Sequence, residues 1–402
     1  MPFPNDVEHK LGVDLIRERL HSFTLSGLGA KRADSMHFQT DYATVKLSLS
    51  QTVEFVHIFE RGDTFPSAHY IDPTDYFNRA AIEGNYLDEH ELLQIAFSVE
   101  TIVACRDYLL KNRDRCPSLF TLTEPVDVTQ ALARSIHRVI DENARVKDSA
   151  SADLSRIRKK LRDEQSRSRR LIDQVYRSAV EQHWVPDGAL PTIRGGRLVI
   201  PLLAEHKRKI KGFIHDESAT GQTVYLEPAE VLDANNEIRD LEHAEKREVI
   251  RLLRELTDEL RHQLPVLHRA FEFLSWIDFI RAKAKLAIEL KASFPVLISR
   301  PAMTWREARH PMLYLALRGK REVVPLNIQL TENDRMLLVS GPNAGGKSVC
   351  LKTVGLLQYM LQCGLLIPVH PDSEAGIFSD LFIDIGDQQS IENDLSTYSS
   401  HL

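Results

Sequence analysis

The residues best suited to chemistry form one short run: Gly341, Pro342, Asn343, Ala344, Gly345, Gly346, Lys347 and Ser348. Their spacing, GxxxxGK[ST], points to phosphate. The glycines let backbone N–H groups converge on anionic oxygens without a Cβ in the way, and the N-terminus of a following helix adds partial positive charge. Lys347 supplies a point charge for the β- and γ-phosphates, and Ser348 a hydroxyl ligand for Mg2+. The flanks suit this reading. The apolar run Met336–Ser340 predicts a strand before the loop, and Leu351, Val354 and Leu357 predict a helix after it. ATP and Mg2+ are the expected cofactors. Hydrolysis also needs an acid on a second apolar strand to hold the metal ion. Asp384 is the candidate, but its apolar run, Leu381–Ile385, is short and ends in no acidic pair. The catalytic set is therefore expected to be incomplete within these residues, although the phosphate loop is present.

A second chemistry is carried by charge. Arg156, Arg158, Lys159, Lys160, Arg162, Arg167, Arg169 and Arg170 place eight cations within fifteen residues, against Asp163 and Glu164. Lys207, Arg208, Lys209 and Lys211 form another basic cluster, in a chain whose formal net charge is −6. A polyanion such as DNA would neutralise them, through phosphates rather than base edges. A helix face paired with Glu242, Glu245 and Glu248 further along is the other reading.

The elements that must position these residues can be read from periodicity. From Ser151 to about Arg177 no Pro or Gly intervenes, Ser151 suits an N-cap, and Asp153 falls in the first turn. Leu154, Ile157 and Leu161, then Leu171, Ile172 and Val175, give a narrow apolar stripe that calls for one partner helix. That partner is expected from about Asn235 to Leu264, closed by Pro265. At about 1.5 Å per residue both helices run roughly 40–45 Å, which describes an antiparallel two-helix arm. Between them, TIRGGRLVIPL, KIKGFIHDES and GQTVYLEP predict a small β tip at about 191–228. Residues 1–130 read as a helical core domain, with Asp88 capping one helix, and 131–290 as the arm and its return to the core. From about 291 the apolar runs VVPLNIQL, MLLVS and SDLFIDI predict strands of an α/β domain reaching 402. The expected class is a multidomain, mainly α-helical protein followed by α/β structure.

Composition sets outer bounds. A chain of 402 residues, 43% hydrophobic, can bury a substantial core and should form more than one domain. The net charge excludes a uniformly basic coat protein. The four cysteines form no CxxC pair, which argues against a disulfide scaffold or structural zinc. No apolar run reaches membrane length and MPFPNDVEHK has no signal-peptide core, so a cytoplasmic protein is expected.

Several blocks together resemble a known family. GPNAGGKS resembles the P-loop of the MutS mismatch-repair ATPases, and ARHPML at 308–313 resembles its lead-in. The segments 146–161, 193–228 and 384–402 resemble the second bacterial MutS subfamily, associated with suppressing recombination. The resemblance implies a lever or core, a clamp of long helices with a small tip, and an ABC-type ATPase domain. It implies nucleotide held between two subunits of a homodimer. Ser396 and Thr397 resemble the signature pair that reaches the γ-phosphate from the partner, and Val323 and Val324 fall near the adenine position. The family's acidic strand motif is expected beyond residue 402, so the chain is expected to stop inside the ATPase domain and to turn ATP over poorly, if at all. Neither a mismatch-reading domain nor a nuclease domain is expected in it. The implied function is ATP-dependent binding of branched or duplex DNA in repair and recombination control, the whole protein being an ATPase. Two alternatives stand beside it. One is a ribosome-associated clamp that meets RNA on stalled ribosomes. The other is an SMC-like dimerisation module without catalysis of its own, although an arm of about 30 residues a side is short for that.

Overall fold

The computed structural model describes residues 6–67, 70–340 and 346–384. Gly341, Pro342, Asn343, Ala344 and Gly345 of the expected phosphate loop, and Ser396 and Thr397, lie outside the described residues. In chain order the helices are α1 (Val7–Leu11), α2 (Val13–His21), α3 (Gly27–Asp34), α4 (Tyr42–Glu60), α5 (Thr74–Ala80), α6 (Glu89–Lys111), α7 (Pro117–Phe120), α8 (Ala131–Val139) and α9 (Ala152–Glu181). Strands β1 (Thr192–Arg194), β2 (Arg197–Leu203), β3 (Gly212–Glu217) and β4 (Thr223–Pro228) follow, then α10 (Ala229–Leu290). Last come β5 (Val296–Ile298), β6 (Met303–Ala308), α11 (Pro311–Leu317), β7 (Leu326–Leu330), α12 (Lys347–Gln362) and β8 (Glu374–Gly376). No helix among the described residues is long and apolar enough to cross a membrane.

Two compact units emerge, each assembled from separate stretches of sequence. The first comprises Met1–Asp75, Phe97–Gln130 and Gln263–Leu402; the second comprises Tyr76–Ala96 and Ala131–His262. The division inside α10 falls between His262 and Gln263.

The first unit packs helices and a small sheet around one apolar cluster. Leu11, Ile16, Leu49, Leu286, Trp305, Leu356 and Met360 all belong to it. Its sheet has the order β5-β8-β6-β7, with β5 parallel to β8 and the other pairs antiparallel. Local capping explains why helices start where they do. Asp41 accepts from Thr44 N–H at 2.8 Å to open α4. In the second unit, Asp88 accepts from Glu91 N–H at 2.8 Å while Glu91 accepts from Asp88 N–H at 3.0 Å, a reciprocal capping box before α6.

Three expectations fail here. VVPLNIQL yields β7, but Met336–Ser340 forms no strand: Met336 is 95% and Leu338 91% exposed. An apolar strand of this kind is stable when neighbours pair it on both sides, and no described strand pairs with it. SDLFIDI likewise forms no named strand within its described part. Pro265 does not end the second arm helix; α10 runs through it for 62 residues. A mid-helix proline costs about 3 kcal/mol. Leu267, Phe271, Leu274, Ile277 and Ile280 beyond it are all buried. At roughly 1.5–3 kcal/mol per fully buried side chain, their burial outweighs the missing hydrogen bond.

The second unit is built on α9 and the first part of α10. Ser151 caps α9 by accepting from Leu154 N–H at 3.0 Å. Ser151 reaches Glu248, Arg158 reaches Glu245, Lys160 reaches Glu237 and Ser168 reaches Asn235, at 2.7, 2.7, 2.6 and 3.1 Å. Numbers rising on one helix as they fall on the other make the pair antiparallel. Leu154, Leu161 and Ile172 of the predicted stripe are buried, and Ser168 fills the gap between the last two. The β tip is an antiparallel sheet of order β1-β2-β4-β3. Gly195 (φ +54°) and Gly196 (φ +77°) form its two-residue turn, where positive φ at both positions favours glycine. Ile200, Leu202, Val224 and Leu226 cover Ile172 and Ala179 of α9.

Candidate functional site

Of the phosphate-loop residues, the structure places Gly346, Lys347 and Ser348 at the entrance of α12. Gly346 takes φ +81°, a left-handed conformation that a side chain would strain. The first intrahelical bond runs from Cys350 N–H to Gly346 O at 2.9 Å. The helix's own ladder begins only there, so its first-turn amides lie at the loop end of the helix. No acidic residue stands in this first turn. An ammonium, a hydroxyl and a helix N-terminus form a donor set that fits a polyphosphate with its magnesium ion. Val323 is half-buried, Val324 is 75% exposed, and Asp384 is exposed.

The helix that carries these donors is anchored at its far end. Lys283 of α10, fully buried, donates to Ser48 Oγ at 2.8 Å and to Gly364 O at 3.2 Å, just past the end of α12. Burial pushes its ammonium down to about 7. Thr52 of α4 donates to the same Gly364 carbonyl at 3.4 Å. Tyr359 donates to Glu8, which also accepts from Arg17 at 2.9 Å. Gln362 donates to Gln39 O at 2.7 Å and Phe378 O at 2.8 Å. At Gly355 a Cβ would lie 2.6 Å from Leu11 Cδ2, so α1 touches the helix backbone there. His310 of the ARHPML segment is buried; burial, with the Lys352 ammonium second, lowers it to about 4, which keeps the ring neutral.

The arm sorts its basic residues into two classes. Arg156 pairs with Asp153 (2.6 Å), Lys160 with Glu237 (2.6 Å) and Arg167 with Glu164 (3.3 Å). Arg158 pairs with Asp148 (2.6 Å) and Glu245 (2.7 Å), and Arg162 with Asp148 (3.2 Å). Of the acids expected to face them, Glu245 does so, whereas Glu248 bonds to Arg251 at 2.7 Å and to the Ser151 cap. Lys159, Arg169 and Arg170 on α9 and Lys207, Arg208, Lys209 and Lys211 at the tip are exposed, with no acidic partner among the described residues. The basic run is thus partly structural and partly free.

Sequence reasoning missed the polar groups that hold the tip and the α12 anchor. Glu227 is buried and accepts from Arg197 (2.9 Å) and Asn235 (2.7 Å), with His215 at 2.6 Å. Burial alone would raise its carboxyl, but those bonds hold it below the ordinary range. Lys283 carried no signal of its own: Asp278, Arg281 and Lys285 stand close to it in the sequence, and nothing there set it apart.

No family model matches the chain. Among curated proteins it is similar to Endonuclease MutS2 of Geobacillus sp. (strain WCH70), 35% identical over 399 residues, covering 98% of this chain and 50% of that protein. It is similar to Endonuclease MutS2 of Finegoldia magna, 35% identical over 393 residues, covering 96% and 49%. Against Endonuclease MutS2 of Brevibacillus brevis it is 40% identical over 314 residues, covering 78% and 39%. The chain spans about half the length of most of these curated relatives. Over nearly its whole length, it is homologous to the bacterial Endonuclease MutS2 proteins.

Proposed function

We propose that this chain serves an ATP-dependent DNA clamp in the control of repair and recombination, in the cytoplasm, with the whole protein acting as a homodimer. The observation that carries the DNA reading is the set of seven exposed cations on α9 and the tip that have no acidic partner among the described residues. Cations that serve only the fold acquire partners, as Arg158 does; cations left open on one arm suit a row of phosphates. Gly341, Pro342, Asn343, Ala344 and Gly345 are proposed to complete the phosphate cradle begun by Gly346, Lys347 and Ser348. Bound Mg2+ would neutralise phosphate charge, with Ser348 as its protein ligand. Ser396 and Thr397 are proposed to meet the nucleotide of a partner subunit. Homology to MutS2 proteins supports these assignments.

The test is binding of linear duplex and of a four-way junction across a salt series. Changing Lys207, Arg208, Lys209 and Lys211 to Glu should weaken both and flatten the plot of log affinity against log salt by up to about 3–4, since each phosphate contact contributes about 0.9. Unchanged affinity and slope would reject the tip as a DNA contact. Tighter binding of ribosomes than of either DNA at matched salt would favour the ribosome-associated alternative.

A further inference from the structure

The tip carries an aromatic side chain that its own fold does not use. Phe213 is 58% exposed on β3, a strand whose residues all face solvent, and it is not among the residues packed on the tip's apolar cluster. The register fixes where it points. Phe213 lies opposite Glu227, and Tyr225 stands two residues before Glu227 on β4, so both rings project from one face of the sheet. On that face the Arg194 guanidinium lies 4.4 Å from the Tyr225 ring centroid, with Asp216 at 3.7 Å from Arg194. Glu227, opposite Phe213 in the register, is buried and bonded to Arg197 and Asn235. The opposite face holds Ile200, Leu202, Val224 and Leu226 against α9. The turn that leads into β3 carries Lys207, Arg208, Lys209 and Lys211.

An exposed edge strand with an aromatic residue invites strand addition unless it is guarded. Here it is guarded: a bulge between Ile214 and Asp216 breaks the register, and Asp216 and Glu217 charge its end. The exposed ring is therefore better suited to a flat partner than to another strand. A base offers such a face only when it is out of the duplex stack, and its phosphate then needs a cation a few residues away. Intact duplex would meet the lysines but leave Phe213 without a partner.

We infer that this face of the tip is a stacking platform for unpaired bases, so that the arm takes DNA by a single-stranded branch, with Phe213 on a base and the basic turn on the adjoining phosphates. The inference rests on the DNA reading above and adds which part of the DNA the tip meets.

The experiment uses the full chain with a blunt duplex and a fork of the same duplex length bearing an unpaired arm. Phe213→Ala should lose about tenfold in affinity for the fork, while its duplex affinity and salt slope stay those of the unaltered protein. Phe213→Trp should keep fork affinity, and Phe213→Leu should behave as the alanine variant, since it keeps apolar area but has no ring. 2-Aminopurine in the unpaired arm should change its fluorescence on binding the unaltered protein and not on binding Phe213→Ala. Equal fork affinity of the Phe, Ala and Leu forms, or an equal loss on fork and duplex, would overturn the platform. Preference for an RNA arm over the same DNA arm would overturn the choice of DNA. If the unaltered protein bound neither DNA, the underlying DNA reading would fail; duplex binding with no preference for the fork would sink only the platform.

Discussion

Lys283 shows what a single buried cation can report. Its amine is fully buried, with Ser48 Oγ and the Gly364 carbonyl as its hydrogen-bond partners. Burial lowers it from 10.5 to about 7. Between those values the unfolded chain binds a proton that the folded chain does not, so the stability contributed here rises with pH across that window and is lost as pH falls towards 7. The limiting slope is about 1.4 kcal/mol per pH unit. Denaturant midpoints of the unaltered protein should rise relative to those of Lys283→Met between pH 7.5 and about 9.5, a window taken from the shift itself. Parallel profiles for the two proteins would show that the amine keeps its charge in the fold. Neither this residue nor its partners stood out in the sequence, because Asp278, Arg281 and Lys285 surround it with other charges and Ser48 and Gly364 lie far from it along the chain.

At the scale of elements, the pairing of α9 with α10 follows from a stripe that could be read by spacing. Ser151 as N-cap, Leu154, Leu161 and Ile172 as buried positions, and the glycine turn of the tip were all legible, because each depends on neighbours a few residues away. What spacing could not supply was the polar inset. Ser168 bonds Asn235 at 3.1 Å, and Asn235 in turn donates to Glu227 at 2.7 Å and to Leu198 O at 3.3 Å. Asn235→Leu should destabilise the second unit by about 1–3 kcal/mol, since it leaves a buried carboxylate short of a donor. Chemical denaturation followed on the second unit's own signal tests this. A variant as stable as the parent would mean that water replaces the amide there. Pro265 teaches the converse lesson. As local punctuation it signalled an end to the helix, and the burial of the residues after it overrode that signal.

At the scale of the whole molecule, each unit is stitched from stretches far apart in sequence, and no local pattern announces that Tyr76–Ala96 folds with Ala131–His262. Helices, tip strands and the phosphate-loop helix were legible; the joining of the N-terminal helices with β5–β8 around one core was not, because that cluster depends on complementary surfaces rather than on period. The strand expected at Met336–Ser340 belongs to the same class, since only partners along both its edges would have formed it. The same packing that buries the core also sorts the chain's thiols. Cys105, Cys116 and Cys363 are buried, while Cys350 is only partly so and lies three residues past Lys347. Burial raises its thiol, so reaction will be slow, but it should be the first to react. Alkylation of the folded protein should therefore mark one site, and MgATP should slow that mark while Lys347→Ala removes the slowing. Labelling at an equal rate with and without nucleotide would argue against phosphate at the head of α12. The molecule thus carries its own chemical footprint of occupancy, readable by mass on the unmodified chain without introducing any probe.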